Sequence, residues 1–262
     1  MSSAPGARAQ RLTWIGHATV LLEVDGVRLM TDPLLRNWIM FLRRHGPSPA
    51  AGLLENLDAV LVSHLHLDHL DVPSLRRLGA DVPLVVPKGA GSFVGGLGFR
   101  DVAELGVGEV IAIGDVRITA VPAVHDGRRR PLGPVAPALG YLTSGTCRIY
   151  FAGDTALFAE MAAIDDALDV ALLPIWGWGP TIGPGHMGPR DAARAAALLR
   201  PAVAVPIHWG TFLPLGLGRL RRATLVDPPG TFVREAARFA PDVGVRVLAP
   251  GGELPLTSST PP

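Results

Sequence analysis

The chain alternates short apolar runs with turns rich in glycine and proline. Near the start, LTWIGHATVLLEVDGVRLMTD predicts two strands joined at Asp25-Gly26, a dipeptide favoured in tight hairpins. A second hairpin with a Gly-Asp turn is predicted for EVIAI-GD-VRITAVPAVH. Further strands are predicted for DAVLVS, LVVP, CRIYFAGDT, ALDVALLPI and AVAVPIHWG.

Helical patterns lie between these strands. They are DVPSLRRLG, TALFAEMAAI, PRDAARAAALLR and TFVREAARFA, and Pro189 suits the first turn of the third. Strands in both halves with helices between them predict two packed sheets with helices outside them. Glycine and proline are spread over the chain and form no single linker, so we expect one domain over residues 1–262.

The charge balance and the lack of long apolar segments exclude several classes of partner. Lys+Arg 24 against Asp+Glu 23 gives a net charge of +1, too balanced for a protein that wraps nucleic acid. No apolar stretch reaches the roughly 20 residues of a membrane helix, and the start lacks the apolar core of an export signal. We therefore expect a cytoplasmic protein with no nucleic-acid partner and no transmembrane segment, whose lone Cys147 is a buried, inert thiol.

Candidate chemistry is concentrated in SHLHLDHLD, residues 63–71, directly after an apolar run. The pattern is H-x-H-x-D-H, formed by His64, His66, Asp68 and His69. In an extended backbone, side chains two apart share a face, so His64 and His66 can converge while the other two turn toward a second point. This arrangement indicates a metal site.

Other metal-capable residues follow later predicted strands. His125 ends VRITAVPAVH, Asp154 ends CRIYFAGD, and His208 ends AVAVPIH. Core packing does not require polar residues at repeated strand ends, whereas a site built on rigid strands does.

Taken in order, these residues resemble the signature of the metallo-β-lactamase fold superfamily, from the first hairpin to the strand before His208. The resemblance implies an α/β fold, the αββα four-layer sandwich, with a two-metal centre. It also implies a ligand set: His64, His66 and His125 for the first metal, Asp68, His69 and His208 for the second, and Asp154 between them.

Imidazole and carboxylate ligands suit two zinc ions, and manganese or iron is chemically admissible. A metal pair lowers the pKa of a bridging water, so the expected activity is hydrolysis by a metal-bridging hydroxide. Asp68 and Asp154 are expected to orient that hydroxide and to take up the proton that the water loses. Two alternatives are a non-catalytic metal-binding module that keeps the fold and an antibiotic lactamase. A complete ligand set favours an active centre over the first, and the second would normally be exported.

Three segments narrow the resemblance to one branch of the superfamily. WIGHATVLLEVDGVRLMTDP, the GHM-x-P element at Gly185–Pro189 and IHWGTF resemble ascorbate-6-phosphate lactonases and N-acylphosphatidylethanolamine phospholipases D. Those enzymes cleave different bonds, so the branch implies an ester-type bond, a phosphodiester or a lactone. The substrate is expected to be a small molecule, anionic or lipid-like.

Residues beside the predicted ligands are candidates for the pocket. We expect His186, in the GHM-x-P element, to donate a proton to the leaving group rather than to bind metal. Asp32 resembles an aspartate that the superfamily holds behind its ligands, although an Asp-Pro turn also explains it. For His17, we expect either packing in the core or a position behind the metal ligands.

Arginine and tryptophan complete the candidate pocket. Guanidinium groups suit phosphate or carboxylate, but a run on a turn is often only solvated. NWIMFLRR, residues 37–44, predicts a wall over an apolar substrate, a membrane-surface patch or ordinary packing under a loop. The remaining pocket candidates are Arg128, Arg129, Arg130, Trp176 and Trp178.

Overall fold

The structure, a computed structural model, describes residues 10–129, 132–176, 182–215 and 222–257. Its strands in chain order are β1 (Arg11–Gly16), β2 (Thr19–Val24), β3 (Val27–Thr31), β4 (Trp38–Ile39), β5 (Leu42–Arg44), β6 (Ala59–Leu61), β7 (Leu84–Pro87), β8 (Val102–Leu105), β9 (Val110–Ile113), β10 (Val116–Pro122), β11 (Leu139–Ser144), β12 (Arg148–Phe151), β13 (Val170–Pro174), β14 (Val203–Ile207), β15 (Phe212–Pro214), β16 (Gly244–Val245) and β17 (Gly252–Pro255). Its α-helices are α1 (Val72–Leu78), α2 (Gly91–Gly96), α3 (Pro189–Leu199) and α4 (Arg222–Phe239), and two short 3₁₀ helices cover Ala51–Leu54 and Ala159–Ala163.

Most of the described strands form two large mixed sheets. The first has the order β17-β1-β2-β3-β6-β7-β8, and the second has the order β16-β14-β13-β12-β11-β10-β9. In both, antiparallel hairpins at one side give way to parallel pairs, such as β3 with β6 and β13 with β14. A small third sheet has the order β15-β5-β4.

The hydrophobic core lies in three layers. Between the two large sheets, Trp14 and Leu22 of the first belong to one buried cluster with Phe151 and Leu172 of the second. Helices α1 and α2 cover the outer face of the first sheet, and α3 and α4 cover that of the second. The protein is therefore an αββα four-layer sandwich, which confirms the predicted fold class.

Local sequence explains how the helices are bounded. The Asp71 carboxylate caps α1 by accepting a hydrogen bond from the Ser74 N–H at 3.0 Å. Helix α3 starts at Pro189, where the missing N–H leaves no unpaired donor, and it ends at Arg200 in the left-handed conformation. In the described part of the chain, no helix combines the length and apolar character needed to cross a membrane.

Three sequence predictions require correction. The first segment forms three strands, because the chain also turns at His17, which has a φ of 54°. The helix predicted for TALFAEMAAI is only the 3₁₀ turn Ala159–Ala163, since Thr155 and Ala156 bond the Val124 backbone instead. Helix α4 starts at Arg222, upstream of the predicted Thr231.

Candidate metal centre

The predicted metal-binding residues all lie just beyond strands of the two large sheets. His64, His66, Asp68 and His69 are in the loop after β6 of the first sheet. His125, Asp154 and His208 follow β10, β12 and β14 of the second sheet, in that order. The loops converge, so the seven side chains from opposite sheets form one cluster.

His64, His66 and His125 form the first group. One ring nitrogen from each lies within 4.8 Å of the others, and the His66 Nδ1 to His125 Nε2 distance is 3.1 Å. Burial lowers the pKa of all three imidazoles, that of His125 to about 4. They are therefore neutral at neutral pH, which is the form that binds metal ions.

Asp68, His69 and His208 form the second group. The Asp68 Oδ2 atom lies 3.4 Å from His69 Nε2 and 3.8 Å from His208 Nε2. Burial opposes ionisation of Asp68, but His69 and hydrogen bonds from the surrounding imidazoles hold its pKa well below the usual range. His208 Nδ1 donates to the Trp176 carbonyl at 2.7 Å, which turns Nε2 toward the carboxylates.

Asp154 lies between the two groups. Its carboxylate is 3.2 Å from His69 Nε2 and 3.3 Å from His208 Nε2, both of the second group. It also falls within 4.8 Å of His125, of the first group. Burial opposes its charge, yet His208 and His69 hold its pKa well below the usual range, so it is ionised.

The cluster passes a direct test of whether it fits a metal. Within the described residues, His64 Nε2, His69 Nε2 and Asp154 Oδ1 are buried without a hydrogen-bond partner. Buried polar atoms are nearly always paired, so orphaned imidazole and carboxylate atoms in one cluster need an explanation. Cations coordinated by nitrogen and oxygen supply it.

Asp32 lies behind the candidate ligands and is linked to both groups, directly to His69 and through Ser63 to His64. Its Oδ2 accepts from His69 Nδ1 at 2.6 Å and from Ser63 Oγ at 2.6 Å, and its Oδ1 accepts from the Ser63 N–H at 2.7 Å. Ser63 Oγ is also 3.0 Å from His64 Nδ1. Because the Ser63 hydroxyl donates its proton to Asp32, it accepts a hydrogen bond from His64 Nδ1. The Asp32 carboxylate therefore orients two imidazoles, His69 directly and His64 through Ser63.

His186 lies at the edge of the cluster. Its Nε2 is 3.5 Å from Asp154 Oδ2, and its ring centroid is 4.6 Å from that of His125. Burial disfavours its charged form, but the hydrogen bond and negative charge of Asp154, together with the Gly183 and Pro184 carbonyls, raise its pKa. His17, on the other side, places Nε2 3.0 Å from Asp68 Oδ2.

The remaining pocket candidates are placed differently from one another. Arg129 Nη1 donates to the carbonyls of Leu65 and Leu70 at 2.9 Å each, so its described hydrogen bonds are to the loop backbone and not to the cluster. It thereby holds the loop of the histidine motif. Arg128 is exposed, Trp176 is half-buried, and Arg130 and Trp178 lie outside the described residues.

Sequence reasoning missed three partners of the cluster. Ser63 belongs to the histidine motif but was not predicted to take part in the site. Its position directly before His64 could have indicated a hydrogen bond to that imidazole. The Gly185 carbonyl accepts from His125 Nδ1 at 2.8 Å, a backbone contact with no side-chain signature. Thr211 contacts the His17 backbone across a long sequence separation, which no local pattern reveals.

Residues 27–209 match the model of the β-lactamase superfamily domain. The chain belongs to this superfamily. It is 36% identical over 250 residues to a UPF0173 metal-dependent hydrolase of Methanopyrus kandleri, covering 92% of this chain and 97% of that one. It is 33% identical over 234 residues to the N-acyl-phosphatidylethanolamine-hydrolyzing phospholipase D 1 of Caenorhabditis elegans, covering 78% of this chain and 64% of the worm protein.

Among solved structures, the fold is similar to that of Igni18, a metallo hydrolase from Ignicoccus hospitalis. The TM-score is 0.71 at 26% sequence identity, over 94% of this chain and 98% of the other. These comparisons confirm the predicted superfamily, and with the residue cluster they confirm a metal-dependent hydrolase.

Proposed function

We propose that the protein is a binuclear metal-dependent hydrolase that cleaves an ester-type bond, a phosphodiester or a lactone, in an anionic or lipid-like small molecule. The observation that carries this proposal is the position of Asp154, whose carboxylate lies 3.2 Å from His69 of the second group and within 4.8 Å of His125 of the first. A carboxylate so placed suits a pair of cations better than one.

The proposed ligand assignment follows the two groups. His64, His66 and His125 would hold one ion, Asp68, His69 and His208 the other, and Asp154 both. Two bound ions would supply an activated water and neutralise charge that develops on the attacked group. The donor set is compatible with zinc, and also with manganese or iron.

The chain's own side chains would move and hold protons. Asp68 and Asp154 are ionised at neutral pH and can accept the proton of an attacking water. His186 Nε2 faces the centre from its edge, so it is placed to give a proton to the leaving oxygen.

Two observations support the substrate class. One relative is a phospholipase D, which supports a phosphodiester. In the hairpin of β4 and β5, Trp38, Met40 and Phe41 are 45%, 63% and 62% exposed, whereas Ile39 and Leu42 are buried. This hairpin pairs with β15, whose Phe212 ring is 5.9 Å from that of His17, so the small sheet that carries the exposed apolar side chains also reaches the residue beside the second group.

A substrate screen combined with metal analysis tests the proposal. The screen uses a panel of bis-p-nitrophenyl phosphate, phospholipids, lactones and thioesters. Purified protein loaded with Zn²⁺ or Mn²⁺ should hydrolyse at least one of these classes of compound. Chelation should abolish that turnover, and metal should restore it. A protein that binds two ions but hydrolyses none of the panel would instead support the non-catalytic alternative.

A further inference from the structure

His17 lies against the second group of ligands although it is none of the seven proposed ligands. It is in the turn between β1 and β2 and is 4% exposed. Its Nε2 is 3.0 Å from Asp68 Oδ2, and its ring centroid is 3.8 Å from that of His208. The side chain is therefore in contact with two proposed ligands of one metal ion.

The backbone of His17 is held from several directions. Its N–H donates to Thr211 Oγ1 at 2.7 Å. Its carbonyl accepts from the His208 N–H at 2.9 Å and from Trp14 Nε1 at 2.9 Å. These bonds join the turn to the segment that carries the last proposed ligand.

The backbone conformation of His17 indicates that the surrounding contacts hold the residue in an unfavourable conformation. A φ of 54° lies in the left-handed region, which is unfavourable for a residue with a side chain. Such conformations persist where surrounding contacts impose them, and they cluster at functional sites. A glycine here would remove the strain but would also remove the imidazole.

The contact with Asp68 has one consistent chemical interpretation. A neutral imidazole has one N–H, and a carboxylate 3.0 Å from Nε2 favours the proton on that nitrogen. An ionised carboxylate has about four lone-pair sites, so a hydrogen bond from His17 leaves room for a metal ion.

We propose that His17 is a positioning residue, whose Nε2–H holds the Asp68 carboxylate in the orientation that binds the second metal ion. It does so without coordinating the ion, and the turn on which it lies also fixes the backbone of His208. This inference rests on the proposed two-metal centre.

Zinc titration of metal-free protein tests the inference without recourse to activity. Binding of Zn²⁺ alone is measured by calorimetry or chelator competition for wild type, His17→Ala, His17→Gln and the control His45→Ala. His45 is a half-buried histidine that belongs to none of the candidate metal-binding groups of the described residues. His17→Ala should weaken the second site about 10- to 100-fold and leave the first unchanged. His17→Gln keeps an N–H donor but is a poor zinc ligand, so it should restore most of that affinity.

Each contrary result has a distinct meaning. Equal weakening by the Gln and Ala variants would make His17 a ligand and overturn the positioning role. An unchanged second site in His17→Ala would overturn it as well. If that variant does not fold, Thr211→Val, which removes the acceptor for the His17 N–H, should still weaken the second site several-fold, and unchanged binding would contradict us.

The same titration separates this inference from the proposed function. Wild-type protein that binds a single ion would remove the binuclear centre itself. Wild-type protein that binds two ions, with His17→Ala indistinguishable from it, would remove only the role of His17.

Discussion

Asp32→Asn should weaken both metal sites while the protein stays folded. The Asp32 side chain is fully buried, and its two oxygens accept three hydrogen bonds, from His69 Nδ1 and from the hydroxyl and N–H of Ser63. Asparagine has nearly the same shape and tolerates the left-handed backbone of this position, where φ is 33°.

The expected effect arises from the direction of the hydrogen bonds. The Asn oxygen would stay with the Ser63 N–H, which turns its NH₂ group toward His69 Nδ1 and Ser63 Oγ. Because His69 Nδ1 would then face a donor, the tautomer with the proton on Nε2 is favoured. Nε2 is the nitrogen that would bind the metal. The reversed Ser63 hydroxyl then donates to His64 Nδ1, which has the same effect there.

The expected loss of metal affinity can be judged from residues that occupy comparable positions behind metal ligands. Residues that orient metal-binding histidines change metal affinity about 10- to 100-fold, or about 1.4–2.7 kcal/mol. Loss of hydrogen bonds to a buried charged group lowers the free energy of unfolding by about 1.5–3 kcal/mol each, and Asn retains part of that. The fold should therefore survive.

The assay is zinc titration of metal-free protein, with thermal unfolding followed by circular dichroism in parallel. Asp81→Asn is the matched control, because that carboxylate is exposed and pairs with Arg100 at the surface. Wild-type zinc affinity at both sites in Asp32→Asn would show that Asp32 does not orient the histidines and would return it to the role of a turn residue.

The other predictions concern single contacts. Ser63→Ala should weaken the first site more than the second, since it removes the link to His64 but leaves the direct bond from Asp32 to His69; equal losses in a zinc titration would contradict this. His186→Ala should keep both ions and lower turnover most for substrates with poor leaving groups, and metal analysis showing loss of an ion would make His186 a ligand. Cys147, buried with a pKa raised to about 11, should resist iodoacetamide at pH 8 until the protein unfolds, as mass spectrometry would show.

The clustering of the seven candidate ligands was predictable because its signal is local and repeated. Each of the seven residues lies close behind an apolar run that forms a strand, and strand ends converge at the edge of a sheet. The predicted burial of Cys147 and the hairpin at Asp25-Gly26 were confirmed for the same reason, since local pattern decides both.

The contacts around the ligands were not predictable from local pattern. Arg129 was a candidate for anion binding, yet its guanidinium bonds two carbonyls about 60 residues upstream. The turn at His17 was missed because its left-handed backbone depends on Thr211 and His208, nearly 200 residues away. Such contacts depend on how the two sheets pack. The helical pattern in TALFAEMAAI was overridden by hydrogen bonds between loops of the second sheet, which join Thr155 and Ala156 to the Val124 backbone.

The proposed two-metal hydrolytic centre depends on Asp154 more than on any other residue. Metal-free protein should be titrated with Zn²⁺ while turnover of the substrate found by screening is followed, with bound metal measured in the same samples. Turnover should rise to a plateau at two equivalents per chain, and Asp154→Ala should lower occupancy of both sites. Full turnover at one equivalent, or an Asp154→Ala variant that retains two ions and full activity, would contradict the account.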